Sequence, residues 1–202
     1  MAKAWIGIAV IGGVVLLLGV VAVGQYNGLV QSREQVDAAW AQVENVLQRR
    51  ADLIPNLVET VRGFAAQERE VFTEVADARS RLLGARGPEQ AAEANQGLDS
   101  ALGRLLLISE RYPELRSNQN FIRLQDELAG TENRIAVERM RYNETVRRYN
   151  TSIRTFPKNV FAGAFGFETR EYFEAAEGAE EVPRVEFEQA TSLSRRDRAA
   201  PL

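Results

Sequence analysis

The 202-residue sequence contains no histidine and no cysteine. Without imidazole or thiol groups, the chain cannot form a disulfide or a zinc site built from Cys and His ligands. A Ser-His-Asp triad, a Cys-His dyad and a histidine general base are excluded for the same reason. Any catalysis would depend on carboxylates, Lys, Tyr, Ser, Thr or backbone amides. We therefore expect a protein that is not an enzyme and that holds no cofactor or metal.

The chain also lacks a large excess of either charge. Its 25 Lys and Arg residues stand against 28 Asp and Glu residues, a net charge of −3. Domains that bind nucleic acid are usually strongly basic, with the cations clustered on one face. Nucleic acid is therefore not expected as a partner.

The longest apolar segment lies near the N-terminus, from Trp5 to Val23, contains no charge and reads WIGIAVIGGVVLLLGVVAV. As a helix, about 19 residues are just enough to cross roughly 30 Å of hydrocarbon. We predict an uncleaved single-pass anchor within residues 1–25 and the lipid bilayer as a partner. Representative apolar positions of this anchor are Trp5, Ile6, Val14, Leu17 and Val23. A cleaved signal peptide is the alternative, although its apolar core is usually shorter.

The charges around this segment bear on its orientation. Lys3 precedes it, and the first basic residue after it is Arg33. Because cytoplasmic flanks carry an excess of Lys and Arg, this favours a cytoplasmic N-terminus and a domain on the far, periplasmic side of a bacterial inner membrane. The argument depends on one lysine, so the side stays open.

Beyond the anchor, apolar residues recur at the three- and four-residue steps of a helix. The first stripe keeps its phase from Val36 to Leu82 and passes Pro55. We expect one helix over this range, kinked near Ala51, and the Asn56 amide is a candidate donor to the carbonyl that the proline frees. A break at the proline, with Asp52 capping a second helix, is the alternative.

Three further segments follow the turn at residues 84–88. A second helix is predicted over about 89–110 and a third from Ser117 or Asn118 to Phe156-Pro157. A short fourth segment over 160–173 is rich in aromatics. Residues 178–202 are acidic and then basic, without apolar periodicity, and are expected to be disordered.

The apolar faces of these predicted helices must be buried, and they can be buried by packing against one another. The simplest arrangement is all-α: a transmembrane helix that continues into an antiparallel bundle of three long helices plus a short fourth, over residues 26–177. Whether the first bundle helix is continuous with the anchor is left open by Gly24 and Gly28. After two reversals the third helix would run parallel to the first, so its end would lie far from the bilayer.

Several blocks resemble the LemA family of bacterial membrane-anchored proteins. They are YNGLV at 26–30, RRADLIPNLVETVRGFAAQE at 49–68, the segment from YPELRSNQNF to RRYN at 112–150, and FPKNVFA with FGF at 156–167. The resemblance implies an N-terminal transmembrane helix and a helical bundle, but no molecular mechanism. It also implies a short N-terminus outside the cell, which conflicts with the charge argument.

Charged side chains on the apolar faces invite two interpretations. They include Arg50, Glu68, Arg79, Glu132 and Arg139. We favour internal pairing of arginines with carboxylates, since a buried charge needs a partner. A carboxylate metal centre is the alternative, although di-iron bundles use Glu-x-x-His repeats that this chain lacks.

Paired Tyr and Asn residues and a cluster of aromatics complete the candidates. We expect the rings to pack inward while the phenols and amides close hydrogen bonds at the edge of the core, with a partner-binding strip as the alternative. The late aromatics are expected to cap the open end of the bundle. Docking on another subunit or on the membrane interface is the alternative, and the predicted distance from the bilayer disfavours membrane contact. The positions concerned are Tyr26, Asn27, Tyr142, Asn143, Tyr149, Asn150, Phe165 and Phe167.

Three functions are compatible with this pattern. The first is a non-enzymatic scaffold or adaptor that assembles with itself or with another membrane protein. The second is a regulatory or sensing module that acts on a membrane protease or transporter, or binds an envelope ligand. The third is a carboxylate-dependent hydrolase using acids such as Glu68 and Glu132, whose general acid would need a strongly shifted pKa.

Overall fold

The computed structural model describes residues 2–174, and within this range the chain is helical without strands. The helices in chain order are α1 (Ala2–Arg62), α2 (Arg69–Gly84), α3 (Gly87–Arg111), α4 (Pro113–Arg116), α5 (Gln119–Arg154) and α6 (Lys158–Phe165). The predicted all-α fold, with a long apolar N-terminal helix followed by helices that pack together, is confirmed. The tail predicted over 178–202 lies outside the described residues.

Helix α1 is continuous from the apolar segment into the bundle. Its 61 residues make it about 90 Å long at 1.5 Å per residue. The anchor positions named above are exposed, and among the α1 side chains that the structure describes, the first fully buried apolar one is Leu29. Among the described helices, α1 alone is long and apolar enough to cross a membrane. The glycines at 24 and 28 therefore do not interrupt it.

Helix α1 ends at Arg62, so the predicted single helix from Val36 to Leu82 is wrong. Residues 63–68 form a turn in which the N–H groups of Phe64 and Ala65 both bond to the carbonyl of Val61 at 3.0 Å. The chain then reverses, and the Arg62 guanidinium lies 5.4 Å from the ring centroid of Phe72 on α2. The apolar stripe keeps its phase across this turn, which is why periodicity alone conceals the break.

The additional reversal changes the direction of every later helix. Helix α2 runs antiparallel to α1, and α3 returns alongside α2, with Arg111 at the end of α3 only 3.1 Å from Glu68. Helix α5 begins at the cap Asn118, whose side chain accepts hydrogen bonds from the N–H groups of residues 120 and 121 at 3.0 and 3.1 Å. It then runs antiparallel to α1. The ring of Tyr142 lies 5.3 Å from that of Trp40, and Phe165, beyond the end of α5, lies 5.1 Å from Tyr26, nearer the start of α1.

The end of α5 and all of α6 therefore lie at the membrane-proximal end of the bundle. The ring of Phe165 at the end of α6 is 5.1 Å from that of Tyr26, which follows the apolar segment on α1. The expectation that the end of the third long helix lies far from the bilayer is wrong. It followed from counting two reversals where the chain makes three.

Candidate functional site

The most deeply buried charge in the described part of the bundle is Arg50 on α1, which is only 3% exposed. Its guanidinium donates to Asn95 Oδ1 at 2.9 Å and pairs with the Asp99 carboxylate, both on α3. Asn95 in turn donates to the second carboxylate oxygen at 3.2 Å. The Nε of Arg50 is buried without a hydrogen-bond partner among the described residues.

Burial raises the pKa of the Asp99 carboxyl, while the charge and hydrogen bond of Arg50 act in the opposite direction. The pair links the long helix to the α2–α3 hairpin. Removing one partner would leave the other charge uncompensated, which is costly in a core. Among the described residues, this arrangement joins α1 to α3 and does not converge on an open catalytic cleft.

Pro55 and Arg79 form a second polar contact. Pro55 lies inside α1 and has no N–H to offer the carbonyl of Ala51, four residues earlier. The Nε of Arg79 on α2 donates to that carbonyl at 2.8 Å. The freed carbonyl is thus satisfied by an arginine of the neighbouring helix and not by Asn56, which is exposed. The expected pairing of Arg79 with a carboxylate is replaced by this bond to the backbone.

The other charged candidates do not come together. Glu68 pairs with Arg111, whereas Glu132 is exposed and Arg139 is half-buried on α5. Among the described residues, no group of three or more Asp and Glu side chains could hold a metal ion. Of the acids proposed for a hydrolase, Glu68 is tied to an arginine, and Glu132 lies close enough to Asp99 for its charge to add to burial in raising the pKa of that carboxyl.

The asparagines of the two later Tyr-Asn pairs hold an extended segment against α5. We call residues 168–173 the strap. Asn150 donates to the carbonyl of Arg170 at 2.9 Å and accepts from its N–H at 2.8 Å. Asn143 makes the same two bonds with the backbone of Phe173, at 3.0 and 2.9 Å. Each amide thus satisfies both backbone groups of one strap residue.

Tyr142 adds a third attachment to the strap. Its phenol donates to the carbonyl of Glu171 at 2.8 Å, and burial raises its pKa to about 12. Tyr149 is also buried, and burial raises its pKa too. Arg170 forms an ion pair with Asp37 of α1 at 2.9 Å. The strap therefore ties α5 to α1 along the membrane-proximal half of the bundle.

The first Tyr-Asn pair differs from the other two. Tyr26 packs its ring edge-on against Phe165 and Phe167, at centroid distances of 5.1 and 5.9 Å, and Asn27 is exposed. The Arg33 guanidinium lies 5.7 Å from the centroid of Phe167. These aromatics close the end of the α1–α5 pair that faces the apolar segment.

A cleft of about 490 Å³ opens where α5 meets α6. Its lining combines cations, hydroxyls and one aromatic: Arg147, Arg148, Thr151, Ser152, Thr155, Phe156 and Lys158. Glu144 forms ion pairs with Arg147 and Arg148, which hold both guanidinium groups at one wall of the cleft. The hydrogen bonds from Arg147 and then Arg148 lower the pKa of the Glu144 carboxyl. Sequence reasoning missed this cleft because its lining depends on the corner between two helices.

The sequence profile of the LemA family matches residues 39–187. This chain belongs to the LemA family. It is 31% identical to magnetosome protein MamQ 2 of Paramagnetospirillum magneticum over 176 residues, covering 74% of this chain and 65% of that protein. It is 30% identical to magnetosome protein MamQ of Magnetospirillum gryphiswaldense, with 74% and 64% coverage. It is 23% identical to protein LemA of Metamycoplasma hominis over 167 residues, covering 81% and 76%.

The chain spans just under two thirds of the length of the MamQ relatives. The shared family and the apolar start of α1 together identify a single-pass membrane protein with a helical domain. The predicted membership of the LemA family is thereby confirmed, and the RRADLIPN block lies within the matched range, whereas YNGLV at 26–30 lies before it. The molecular role is a separate question.

Proposed function

We propose that this LemA-family protein is a non-enzymatic scaffold or adaptor of the bacterial inner membrane, which binds a second copy of itself or another membrane protein. The observation that carries the proposal is the continuity of α1 from the apolar segment to Arg62. A single helix without a flexible joint holds the bundle at a fixed distance from the bilayer. The Lys3 argument favours the periplasmic side.

Two adjacent apolar side chains on α5 provide a candidate contact for that partner. Met140 is 65% exposed, and Val137 lies one turn before it on the same face. Other apolar residues of α5, such as Ile135 and Val146, are buried against the bundle. Exposed neighbouring apolar residues at the middle of a helix are typical of protein contacts.

The names of the relatives are compatible with this role without defining it. MamQ is named as a magnetosome protein, and the other relative is named only as protein LemA. Neither name denotes a reaction, and neither identifies a partner. For this chain the relatives therefore support a membrane protein of the family, and the assembly role depends on the geometry of α1 and α5.

Photo-crosslinking in native membranes tests the proposal. A photoreactive amino acid at Met140 is expected to give products larger than the monomer, which mass spectrometry then assigns to a second copy or to another membrane protein. The matched control is the same amino acid at Glu127, which is exposed on a different face of α5. An absence of products at Met140, or equal yields at both positions, would contradict the scaffold proposal.

The cleft at the corner of α5 and α6 favours a second candidate, a sensing module for an acidic ligand. Lys158 and Arg148 line it, together with hydroxyl groups that can bind phosphate or carboxylate oxygens. In a thermal-shift screen, at least one phosphorylated or carboxylated compound should raise the melting temperature of the wild-type chain. The same compound should leave the melting temperature of Lys158→Met unchanged. A flat screen on the wild type would count against this candidate.

A further inference from the structure

Helix α6 is apolar on the side that faces away from the bundle. Its sequence, KNVFAGAF, has polar side chains only at its first two positions. It packs on the bundle through Ala162, which is buried, while Val160 on the outer side is 60% exposed. Phe156, in the corner between α5 and α6, is 79% exposed. An apolar outer face on a short surface helix is typical of a helix that another apolar surface covers.

The position of α6 along α1 indicates what covers it. Val23 ends the apolar segment, and Tyr26 follows three residues later, about 4.5 Å further along the helix axis. Phe165 at the end of α6 is in ring contact with Tyr26 at 5.1 Å. The headgroup layer of one leaflet is about 5–8 Å thick. The end of helix α6 at Phe165 therefore lies at the depth of the headgroups when α1 spans the bilayer.

The charges at this end of the bundle match a lipid surface. The membrane-proximal layer comprises residues 26–32 of α1 and 151–167 of α5 and α6. It contains two cations, Arg154 and Lys158, and no carboxylate. The first acids beyond it are Glu34 and Glu168. Cations with apolar stems beside an apolar face are well placed to reach lipid phosphates.

We propose that α6 and Phe156 insert into the headgroup region of the bilayer that α1 spans, as an interfacial second contact. The apolar faces of α1 and α6 form one surface, continuous at Tyr26. Phe165 and Phe167 link the two helices, so insertion of α6 would set the angle at which the bundle leaves the membrane. The inference does not depend on the scaffold proposal or on the side of the membrane.

Single-cysteine labelling tests this, since the chain has no native thiol. Val160→Cys and Leu107→Cys replace side chains that are 60% and 61% exposed, the latter on α3 at a distance from the membrane end. Each full-length variant is labelled with a nitroxide and reconstituted in vesicles of phosphatidylcholine and phosphatidylglycerol. Accessibility to oxygen, which concentrates in lipid, is compared with accessibility to a water-soluble nickel chelate.

The label at Val160 is expected to be accessible to oxygen and several-fold less accessible to the nickel chelate than the label at Leu107. Equal nickel accessibility at the two positions would overturn the proposal. Protection of the Val160 label from both reagents would also overturn it, because a protein and not lipid would then cover α6. Loss of crosslinking at Met140 with this pattern intact would contradict only the scaffold proposal.

Discussion

The Nε of Arg79 donates a 2.8 Å hydrogen bond to the backbone carbonyl of Ala51, the group that Pro55 deprives of its helical donor. A proline inside a helix normally leaves this carbonyl to water or to a side chain of the same helix. Here the donor comes from α2, so the carbonyl freed by the proline binds the α2–α3 hairpin to α1. The bond couples a local defect in α1 to the tertiary structure.

We predict that Arg79→Met lowers the free energy of unfolding by about 1–3 kcal/mol, because the buried carbonyl loses its donor. In a Pro55→Ala background the same change should cost less, since the introduced alanine supplies the missing N–H. Urea titrations of the four variants in mild detergent measure this coupling. Arg81→Met, at an exposed position of α2, is the control. If Arg79→Met lowers the free energy of unfolding equally in both backgrounds, Arg79 must stabilise the protein through a contact other than the Ala51 carbonyl.

The anchor and the apolar stripes could be predicted from the sequence because they depend on composition and on local periodicity. The buried positions Val36, Val43 and Leu47 on α1 follow the predicted steps, as do Leu98 and Leu105 on α3. These features repeat every turn and need no knowledge of distant residues.

The turn at 63–68 could not be predicted in this way. Gly63 is its one typical helix-breaking residue, and the apolar steps from Val61 to Phe72 remain in phase across it. Besides its local backbone hydrogen bonds, the turn makes tertiary contacts such as the ion pair of Glu68 with Arg111, which periodicity does not reveal. Without this reversal, the predicted topology gave α5 the opposite direction and placed α6 at the end of the bundle far from the membrane. A single unrecognised turn therefore concealed the position of the apolar face of α6 near the membrane.

The Arg50–Asp99 pair yields a second prediction. Asp99→Ala should destabilise the bundle by about 1–2 kcal/mol, because the buried guanidinium keeps only Asn95 as a partner; the cost stays below that of a fully buried pair since the Asp99 side chain is 41% exposed. The double replacement of Arg50 by Met and Asp99 by Leu should recover most of this loss, since no charge then remains in the core. Thermal unfolding by circular dichroism distinguishes the variants.

Asp126→Ala, at an exposed position on α5, is the matched control for the loss of one carboxylate. A double variant no more stable than Asp99→Ala would mean that the pair does more than neutralise a charge. It would then have to specify the register between α1 and α3.

The strap yields a third prediction. Asn150→Ala removes two hydrogen bonds to the backbone of Arg170. At about 1 kcal/mol each, their loss should make local opening of the strap roughly 30-fold more frequent. Trypsin cleavage after Arg170 in the folded protein should accelerate to a similar extent, provided that reclosing is faster than cleavage.

Asn133→Ala replaces an exposed asparagine of the same helix and should leave the cleavage rate unchanged. Equal acceleration in both variants would point to a general loosening of α5. Unchanged cleavage in Asn150→Ala would show that Asn143 and Tyr142 alone are sufficient to hold the strap.

The phenol of Tyr142 predicts how stability changes at alkaline pH. It must be protonated to donate to the carbonyl of Glu171, and its pKa rises from 10.0 to about 12 on folding. The unfolded chain therefore loses this proton first as the pH rises. The contribution of Tyr142 is complete below pH 10.0 and declines between 10.0 and about 12. Urea unfolding of wild type and Tyr142→Phe across this range should show the wild type losing stability more steeply. Parallel pH profiles would refute this, because the phenol would then have the same proton affinity in both states.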